Sequence, residues 1–244
     1  MDSKVDVLQW NIRGIRSNQE ELSLLLHNKP TVICLQETLM NPDKLTHLTG
    51  YSCLSCNLSR GTAMYIKTNC LYSPINLITP LEAVAARISF KKTITICSIY
   101  LSPSKPVTKT DLTNLISQLP EPFLLVGDMN GHSPRWGSDH HSSQGKIIED
   151  VLDQLDLCLL NSGSPTFCAP SGALSSLDLA ICDPSIFLDL QWKAHNDLCG
   201  SDHFPTFITL PESGAEDPQS RWKFTKADWD QFRSLATVQI SDTV

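Results

Sequence analysis

Short apolar runs recur along this chain, and acid, amide or imidazole side chains stand at the ends of several of them. Apolar residues 123–126 precede a Gly-Asp-Met-Asn-Gly-His string at 127–132, and a Gly-Ser-Asp-His string at 200–203 precedes apolar residues 204–208. Runs of this length with β-branched and aromatic residues predict buried strands. A carboxylate at the end of a buried strand is costly unless a cation or a substrate satisfies it. The pattern therefore predicts an active site built at strand ends.

Apolar runs bounded by turn residues predict strands at 5–10, 31–35, 51–56, 62–67, 84–90, 93–100, 123–126, 157–160, 166–168, 177–182, 191–194 and 204–210. Helices are expected at about 19–28, 109–119 and 144–155, so strands dominate the predicted element order. Such an order in a 244-residue chain predicts two packed sheets with helices on their outer faces. Residues 211–220 are polar and contain Gly, Pro and acids, which predicts a linker. We therefore expect one domain over residues 1–210, followed by a separate segment that carries four large aromatic residues.

Charge and cysteine content narrow the protein class. The net charge of −7 counts against nucleic-acid binding, although a carboxylate-rich metal site is itself acidic. Several of the nine cysteines lie in apolar runs, as in proteins of reducing compartments, and the Cys53–Cys56 spacing lacks a second pair for zinc. No signal-peptide layout and no apolar stretch of about 20 residues is present. We expect an intracellular protein without a membrane segment.

The polar residues that end apolar runs form one ordered set. Its members are Asn11, Glu37, Tyr100, Asp128, Asn130, Asp178, Asp202 and His203. If their strands lie side by side, carboxylates and amides converge at one edge. These ligands suit Mg²⁺ or Mn²⁺ better than zinc.

Each member of the set suggests a role in phosphate-ester hydrolysis. Glu37 is a natural metal ligand, and Asp128 with Asn130 is placed to activate a water molecule. Either Asp178 or Asp202 can hold one nitrogen of His203, which then donates to an anionic oxygen. Taken singly, each residue is as well explained by a turn, a cap or a surface loop. The functional interpretation depends on the complete ordered set.

The ordered set resembles the endonuclease/exonuclease/phosphatase superfamily. The matching stretches are residues 8–14, 35–38, 99–100, 127–130, 176–178 and 201–203. The resemblance implies a deoxyribonuclease I-like fold, a four-layer α/β sandwich with two central mixed β-sheets flanked by helices. It also implies Mg²⁺ as cofactor, with Mn²⁺ as a substitute.

The resemblance assigns a role to each site residue. Asn11 and Glu37 would lie at the metal, with Asp202 supporting the metal or the imidazole. Asp128 and Asn130 would handle the water nucleophile. Tyr100 would contact the phosphate, and Asp178 would orient His203.

Finer stretches resemble the endonuclease domains of jockey- and I-element-type non-LTR retrotransposons. These stretches are residues 132–138, 159–167, 175–180 and 226–232. They imply a domain that nicks double-stranded DNA in the nucleus and leaves a 3′-hydroxyl that primes reverse transcription. Residues 211–244 would then begin the connection toward a reverse transcriptase region. As an isolated domain, we expect a monomer.

Several residues are candidates for contacts with DNA, and two other functions remain as alternatives. Arg13, Arg16, Arg60 and Lys105 are candidates for phosphate contacts, with ordinary surface charge as the alternative. The loop 166–175 lies where the family carries a hairpin that contacts DNA, so the resemblance implies DNA contacts at Thr166, Ser175 and the adjoining Ser176. One alternative is a lipid or inositol phosphodiesterase or phosphatase of the same superfamily. The other is a catalytically inactive DNA-binding remnant.

Overall fold

The computed structural model describes residues 6–41, 45–90 and 92–210. The α-helices of these residues are α1 (Gln19–Leu25), α2 (Lys109–Ile116) and α3 (Ser143–Gln154). Their strands are β1 (Val7–Asn11), β2 (Val32–Gln36), β3 (Tyr51–Cys56), β4 (Thr62–Lys67), β5 (Tyr72–Ile75), β6 (Glu82–Ser89), β7 (Thr93–Tyr100), β8 (Phe123–Asp128), β9 (Cys158–Leu159), β10 (Phe167–Cys168), β11 (Leu174–Ser175), β12 (Asp178–Cys182), β13 (Gln191–Ala194) and β14 (Thr206–Thr209). The linker and connection predicted for 211–244 lie outside the described residues, so that domain boundary stays a prediction.

The strands form two six-stranded mixed sheets and one short hairpin. The first sheet has the order β13-β14-β1-β2-β4-β3, and the second has the order β5-β6-β7-β8-β12-β9. The β1–β2 and β7–β8 pairs are parallel, and the other pairs within the sheets are antiparallel. Strands β10 and β11 form the separate hairpin.

Buried apolar residues form three clusters, one between the two sheets and one on the outer face of each sheet. The inner core lies between the sheets and contains Val7, Met64, Ile96 and Val126. A second cluster packs α1 against the outer face of the first sheet, and a third packs α2 and α3 against the outer face of the second. The predicted four-layer α/β sandwich is confirmed.

Strand alternation explains why polar side chains gather inside this sandwich. Leu124 and Val126 of β8 point into the inner core, so Asp128 at the end of the same strand faces the same way. The same period of two turns Asn11 on β1 and Asp178 on β12 toward the opposite sheet. The polar strand ends therefore meet between the sheets instead of pointing outward.

The starts of α2 and α1 differ in whether a side chain caps them. Thr108 and Asp111 form a capping box at the start of α2. Asn18 precedes α1 but does not cap it; its Nδ2 donates to the carbonyl of Ile12 at 2.7 Å. This bond ties α1 to the segment that follows β1. No helix in the described ranges is long and apolar enough to span a bilayer.

The cysteines are all free thiols, and none pairs for zinc. Cys53 packs against the outer cluster of the first sheet, whereas Cys56 packs against the inner core. Positions three apart on a strand face opposite sides, so this pair cannot chelate one ion.

Candidate active site

Three strand ends of the second sheet place Tyr100, Asp128 and Asp178 in one row. Tyr100 pairs with Asp128 across the parallel β7–β8 ladder, and Asp178 pairs with Asp128 across the antiparallel β8–β12 ladder. Asn11 reaches this row from the first sheet, where its Nδ2 donates to Asp128 Oδ2 at 2.9 Å. The site is therefore built across the interface of the two sheets.

His203 lies between two buried carboxylates. Its Nδ1 is 2.7 Å from Oδ2 of Asp178, and its Nε2 is 3.8 Å from Oδ2 of Asp128. Gln9 donates to the other oxygen of Asp178 at 2.7 Å. Of the two acids that the sequence leaves open as the partner of the imidazole, Asp178 is the one in contact with Nδ1. That contact leaves Nε2 as the nitrogen facing Asp128.

Asp128 accepts hydrogen bonds from two asparagines. Besides the bond from Asn11, the side chain of Asn130 donates to Oδ2 at 3.0 Å and its backbone N–H donates to Oδ1 at 3.0 Å. Asn130 adopts a left-handed backbone conformation with φ of 47°, which brings both donors onto the same carboxylate. The carboxylate of Asp128 is thus held in one orientation.

The pKa values of His203 and Asp128 are both raised above their ordinary values. Burial by itself lowers the pKa of His203, but the charges of Asp178 and Asp128 outweigh burial and raise it to about 9. Burial raises the pKa of Asp128 to about 7, against the lowering effect of the nearby imidazole. At neutral pH the imidazole is therefore a proton donor, and Asp128 is poised to accept a proton.

We expect Asp178→Asn to lower the pKa of His203 by about 1 unit or more, because burial is then opposed by one carboxylate fewer. Titration of the His203 ring resonances by NMR measures this shift. Asp153→Asn is the control, since it removes an equal charge from an exposed ion pair with Arg135. An unchanged pKa in Asp178→Asn would show that this carboxylate does not hold the imidazole charged.

Glu37 follows β2 and faces two donors. The hydroxyl of Tyr100 donates to its Oε1 at 2.8 Å, and Arg60 Nη1 lies 2.5 Å from its Oε2. Burial and the adjacent Glu37 charge raise the pKa of Tyr100, so the phenol stays protonated and remains a donor. The contact with Glu37 also raises the pKa of Arg60.

Asp202 forms an ion pair with Arg13, the second arginine of the site. Arg13 Nη1 lies 3.0 Å from Asp202 Oδ2, and Ser201 Oγ is 3.4 Å from Asp202 Oδ1. Arg13 and Glu37, like Asn130, have positive φ values, of 49° and 47° respectively. Non-glycine residues in this conformation cluster where function requires a fixed direction of the side chain.

Several side-chain oxygen atoms at this site are of the kind that hard divalent cations bind. The Glu37 and Asp202 carboxylates are negatively charged, and each one already attracts an arginine. Asn11 Oδ1 accepts only a 3.2 Å bond from the backbone N–H of Arg13. Asp128, Asp178 and His203 also present ligand atoms within 4.8 Å of one another, and this group can hold a metal ion. An all-oxygen set suits Mg²⁺ or Mn²⁺ better than a set containing His203.

The β10–β11 hairpin contacts the segment that carries His203. Residue 167 forms an isolated bridge with His203, and the ring of Phe167 lies 4.8 Å from the imidazole. The hydroxyl of Thr166 accepts the backbone N–H groups of Leu177 and Asp178, each at 2.9 Å. The hairpin therefore helps to position Asp178 and His203.

Two of the predicted DNA contacts differ from the observed arrangement. Thr166 and Ser176 are buried, at 0% and 1% exposure, and the Thr166 hydroxyl fixes the base of the hairpin through its bonds from Leu177 and Asp178. In this conformation they are closed to a DNA strand. Ser175 is partly exposed and Arg13 is exposed, although Arg13 is paired with Asp202.

Sequence reasoning missed a layer of buried polar residues beneath the site. Gln9 donates to Gln36 at 2.8 Å as well as to Asp178, and Thr206 donates to Gln9 at 2.6 Å. Gln36 in turn donates to Ser98 at 2.9 Å. The signal was available: each glutamine interrupts an apolar strand on the alternate positions that face the opposite sheet.

Solved nucleases share this two-sheet fold. The endonuclease domain of TRAS1, a telomere-specific non-LTR retrotransposon, matches with a TM-score of 0.70 and 21% identity, covering 85% of this chain and 99% of that one. An AP endonuclease from Leishmania major matches with a TM-score of 0.67 and 16% identity, covering 84% and 87%. The architecture is that of the deoxyribonuclease I-like AP endonucleases.

Sequence comparisons find relatives among retrotransposon proteins. Residues 94–207 match the family described as Endonuclease-reverse transcriptase. The RNA-directed DNA polymerase from mobile element jockey of Drosophila melanogaster is 28% identical over 221 residues, covering 86% of this chain and 24% of the relative. The probable RNA-directed DNA polymerase from transposon BS of the same species is 26% identical, covering 84% and 24%.

Within the described region, residues 94–207 therefore match an endonuclease-reverse transcriptase family model, and the fold is the one found in AP endonucleases. This region is related to the polymerases of jockey-type non-LTR retrotransposons. The chain spans about a quarter of the length of the curated relatives it matches.

Proposed function

We propose that this retrotransposon-type endonuclease domain is a divalent-metal-dependent phosphodiesterase that nicks one strand of double-stranded DNA. The nick leaves a 3′-hydroxyl, from which a reverse transcriptase region of the full-length protein primes synthesis in the nucleus. The observation that carries the proposal is the buried Asp178–His203–Asp128 arrangement, with both asparagines on Asp128.

Asp128 is the base in this mechanism. Asn11 and Asn130 hold its carboxylate in place, and it takes a proton from the water that attacks the phosphorus atom. The pKa of Asp128, raised by burial to about 7, suits a base that must accept this proton at neutral pH. The P–O3′ bond breaks, the phosphate stays on the 5′ end of the other fragment, and the leaving 3′ oxygen takes a proton from solvent water to become the 3′-hydroxyl.

His203 is the electrophilic partner. With Nδ1 bound to Asp178, its protonated Nε2 donates to a phosphoryl oxygen as negative charge develops there. The Tyr100 phenol lies one strand away, paired with Asp128 in the β7–β8 ladder, and contacts the phosphate group.

Asn11, Glu37 and Asp202 would hold Mg²⁺, or Mn²⁺ in its place. The bound cation would supply charge neutralisation at the phosphoryl oxygens. This assignment leaves His203 and the two buried aspartates free for proton transfer and orientation. Few cationic side chains surround the site, so we propose that the remaining protein supplies much of the affinity for DNA.

Incubation with supercoiled plasmid and Mg²⁺ tests the proposal. We expect nicked circles whose 3′ ends are extended by a DNA polymerase without phosphatase treatment, and no nicking in EDTA. Asp128→Asn keeps the shape of the side chain and loses the base, so nicking should fall about 100-fold or more.

Two results would contradict the proposal. Release of phosphate or a head group from an inositol phosphate or a phospholipid, without nicking, would favour a phosphodiesterase or phosphatase of the same superfamily. Binding of DNA without cleavage under any divalent cation would favour an inactive remnant.

A further inference from the structure

Arg60 neutralises the carboxylate of Glu37, which we have proposed as a metal ligand. Its Nη1 lies 2.5 Å from Oε2, and Tyr100 donates to Oε1 at 2.8 Å. Both oxygens of Glu37 therefore already have partners. Each carboxylate oxygen keeps a second lone pair, so a divalent cation that binds Glu37 must either lie beside the positively charged guanidinium of Arg60 or displace it.

The two donors differ in how easily they move. The side chain of Arg60 is 52% exposed, whereas Tyr100 is buried with 3% exposure. Arg60 is also repelled by an incoming cation because both are positively charged, while the neutral phenol of Tyr100 is not. Arg60 is consequently the donor that the cation displaces.

The backbone on both sides of Arg60 is fixed, so the ion pair is built into the fold. Glu82 Oε1 accepts the N–H groups of Ser59 at 3.2 Å and Gly61 at 2.6 Å. The carbonyl of Arg60 itself accepts the N–H of Leu39 at 2.9 Å. The side chain of Arg60 is therefore the part that can move, and in this structure its guanidinium lies next to Glu37.

We propose that Arg60 is a built-in competitor of the divalent cation, which occupies Glu37 until the cation displaces it. The inference rests on the proposed role of Glu37 at the metal. Arg60 thereby lowers the apparent metal affinity of the site below the value that its carboxylates alone would give.

Mn²⁺ binding to the full chain, followed by the EPR signal of the free ion without DNA, tests this role. We expect Arg60→Gln to bind Mn²⁺ about 5- to 10-fold more tightly than the wild type, because the competing charge is gone. Arg135→Gln is the matched control: it removes an equal charge from the ion pair with Asp153, whose N–O distance of 2.6 Å is close to the 2.5 Å of the Arg60–Glu37 pair. Its affinity should stay within about twofold of the wild type.

The third variant, Glu37→Gln, separates this inference from the proposed function. If Glu37→Gln weakens Mn²⁺ binding but Arg60→Gln binds no more tightly than Arg135→Gln, the competitor role is wrong and the metal assignment stands. If Glu37→Gln binds Mn²⁺ as the wild type does, Glu37 is not a metal ligand and both ideas fail. Circular dichroism of each variant verifies that the fold is retained.

Discussion

Replacing His203 with alanine is expected to reduce plasmid nicking by about 1,000-fold or more. The imidazole is a buried, charged donor between Asp178 and Asp128, and no other cationic side chain takes its place within this group of the described residues. The variant leaves Asp178 with the bond from Gln9 but without its charged partner. Nicking rates at saturating Mg²⁺ measure the effect.

Two controls make the result specific. His27→Ala removes an exposed histidine at the end of the segment after α1, and we expect wild-type nicking. Thermal unfolding of His203→Ala shows whether lost activity reflects lost structure, since an unpaired buried carboxylate also destabilises a protein. A folded His203→Ala protein that retains more than about a tenth of the activity would refute the proposed role of the imidazole.

Replacing Gly127 with alanine is expected to lower the free energy of unfolding by more than about 3 kcal/mol. Gly127 precedes Asp128 on β8 and has a φ of 150°. A Cβ atom at this position would lie 1.9 Å from the carbonyl oxygen of Ile99 on the neighbouring strand β7. Because the clash is with backbone atoms, strands β7 and β8 must move apart. This movement displaces Asp128 from its position in the site.

Gly50 provides the matched control for this prediction. Its φ is also positive, at 84°, but a Cβ atom there would meet nothing within 4 Å. Gly50→Ala should therefore cost only backbone strain, about 1 kcal/mol. Urea-unfolding midpoints of both variants give the comparison. If both variants lose the same free energy of unfolding, the close approach of Ile99 does not explain why position 127 requires glycine.

The strand pattern predicted much of this fold. Strands over 51–56, 62–67, 93–100 and 191–194 begin and end where the sequence suggests, because their apolar alternation is bounded by turn residues. Strands β5 and β11 were not predicted. Tyr72–Ile75 contains a proline and lies at the edge of its sheet, and Leu174–Ser175 has two residues, too few to show a period.

The candidate site was predicted as a set of residues but not as a set of contacts. Residue type alone left the carboxylate partner of His203 open between Asp178 and Asp202, and the resemblance to the superfamily implied Asp178. The strand pairing of β12 with β8 places Asp178 beside Asp128, whereas Asp202 lies with Arg13. The catalytic and metal-binding roles of these residues stay predictions until the variants are measured.

Local sequence was sufficient for the element types, the two-sheet class and the residues at strand ends, because these depend on residue period and on turn chemistry. It could not determine which side chains meet across the interface between the sheets. Those contacts depend on pairing between segments far apart in the chain, as for Gln9 with Asp178 and Arg60 with Glu37. Residue type limits such pairs, but only the packing of one sheet on the other selects among them.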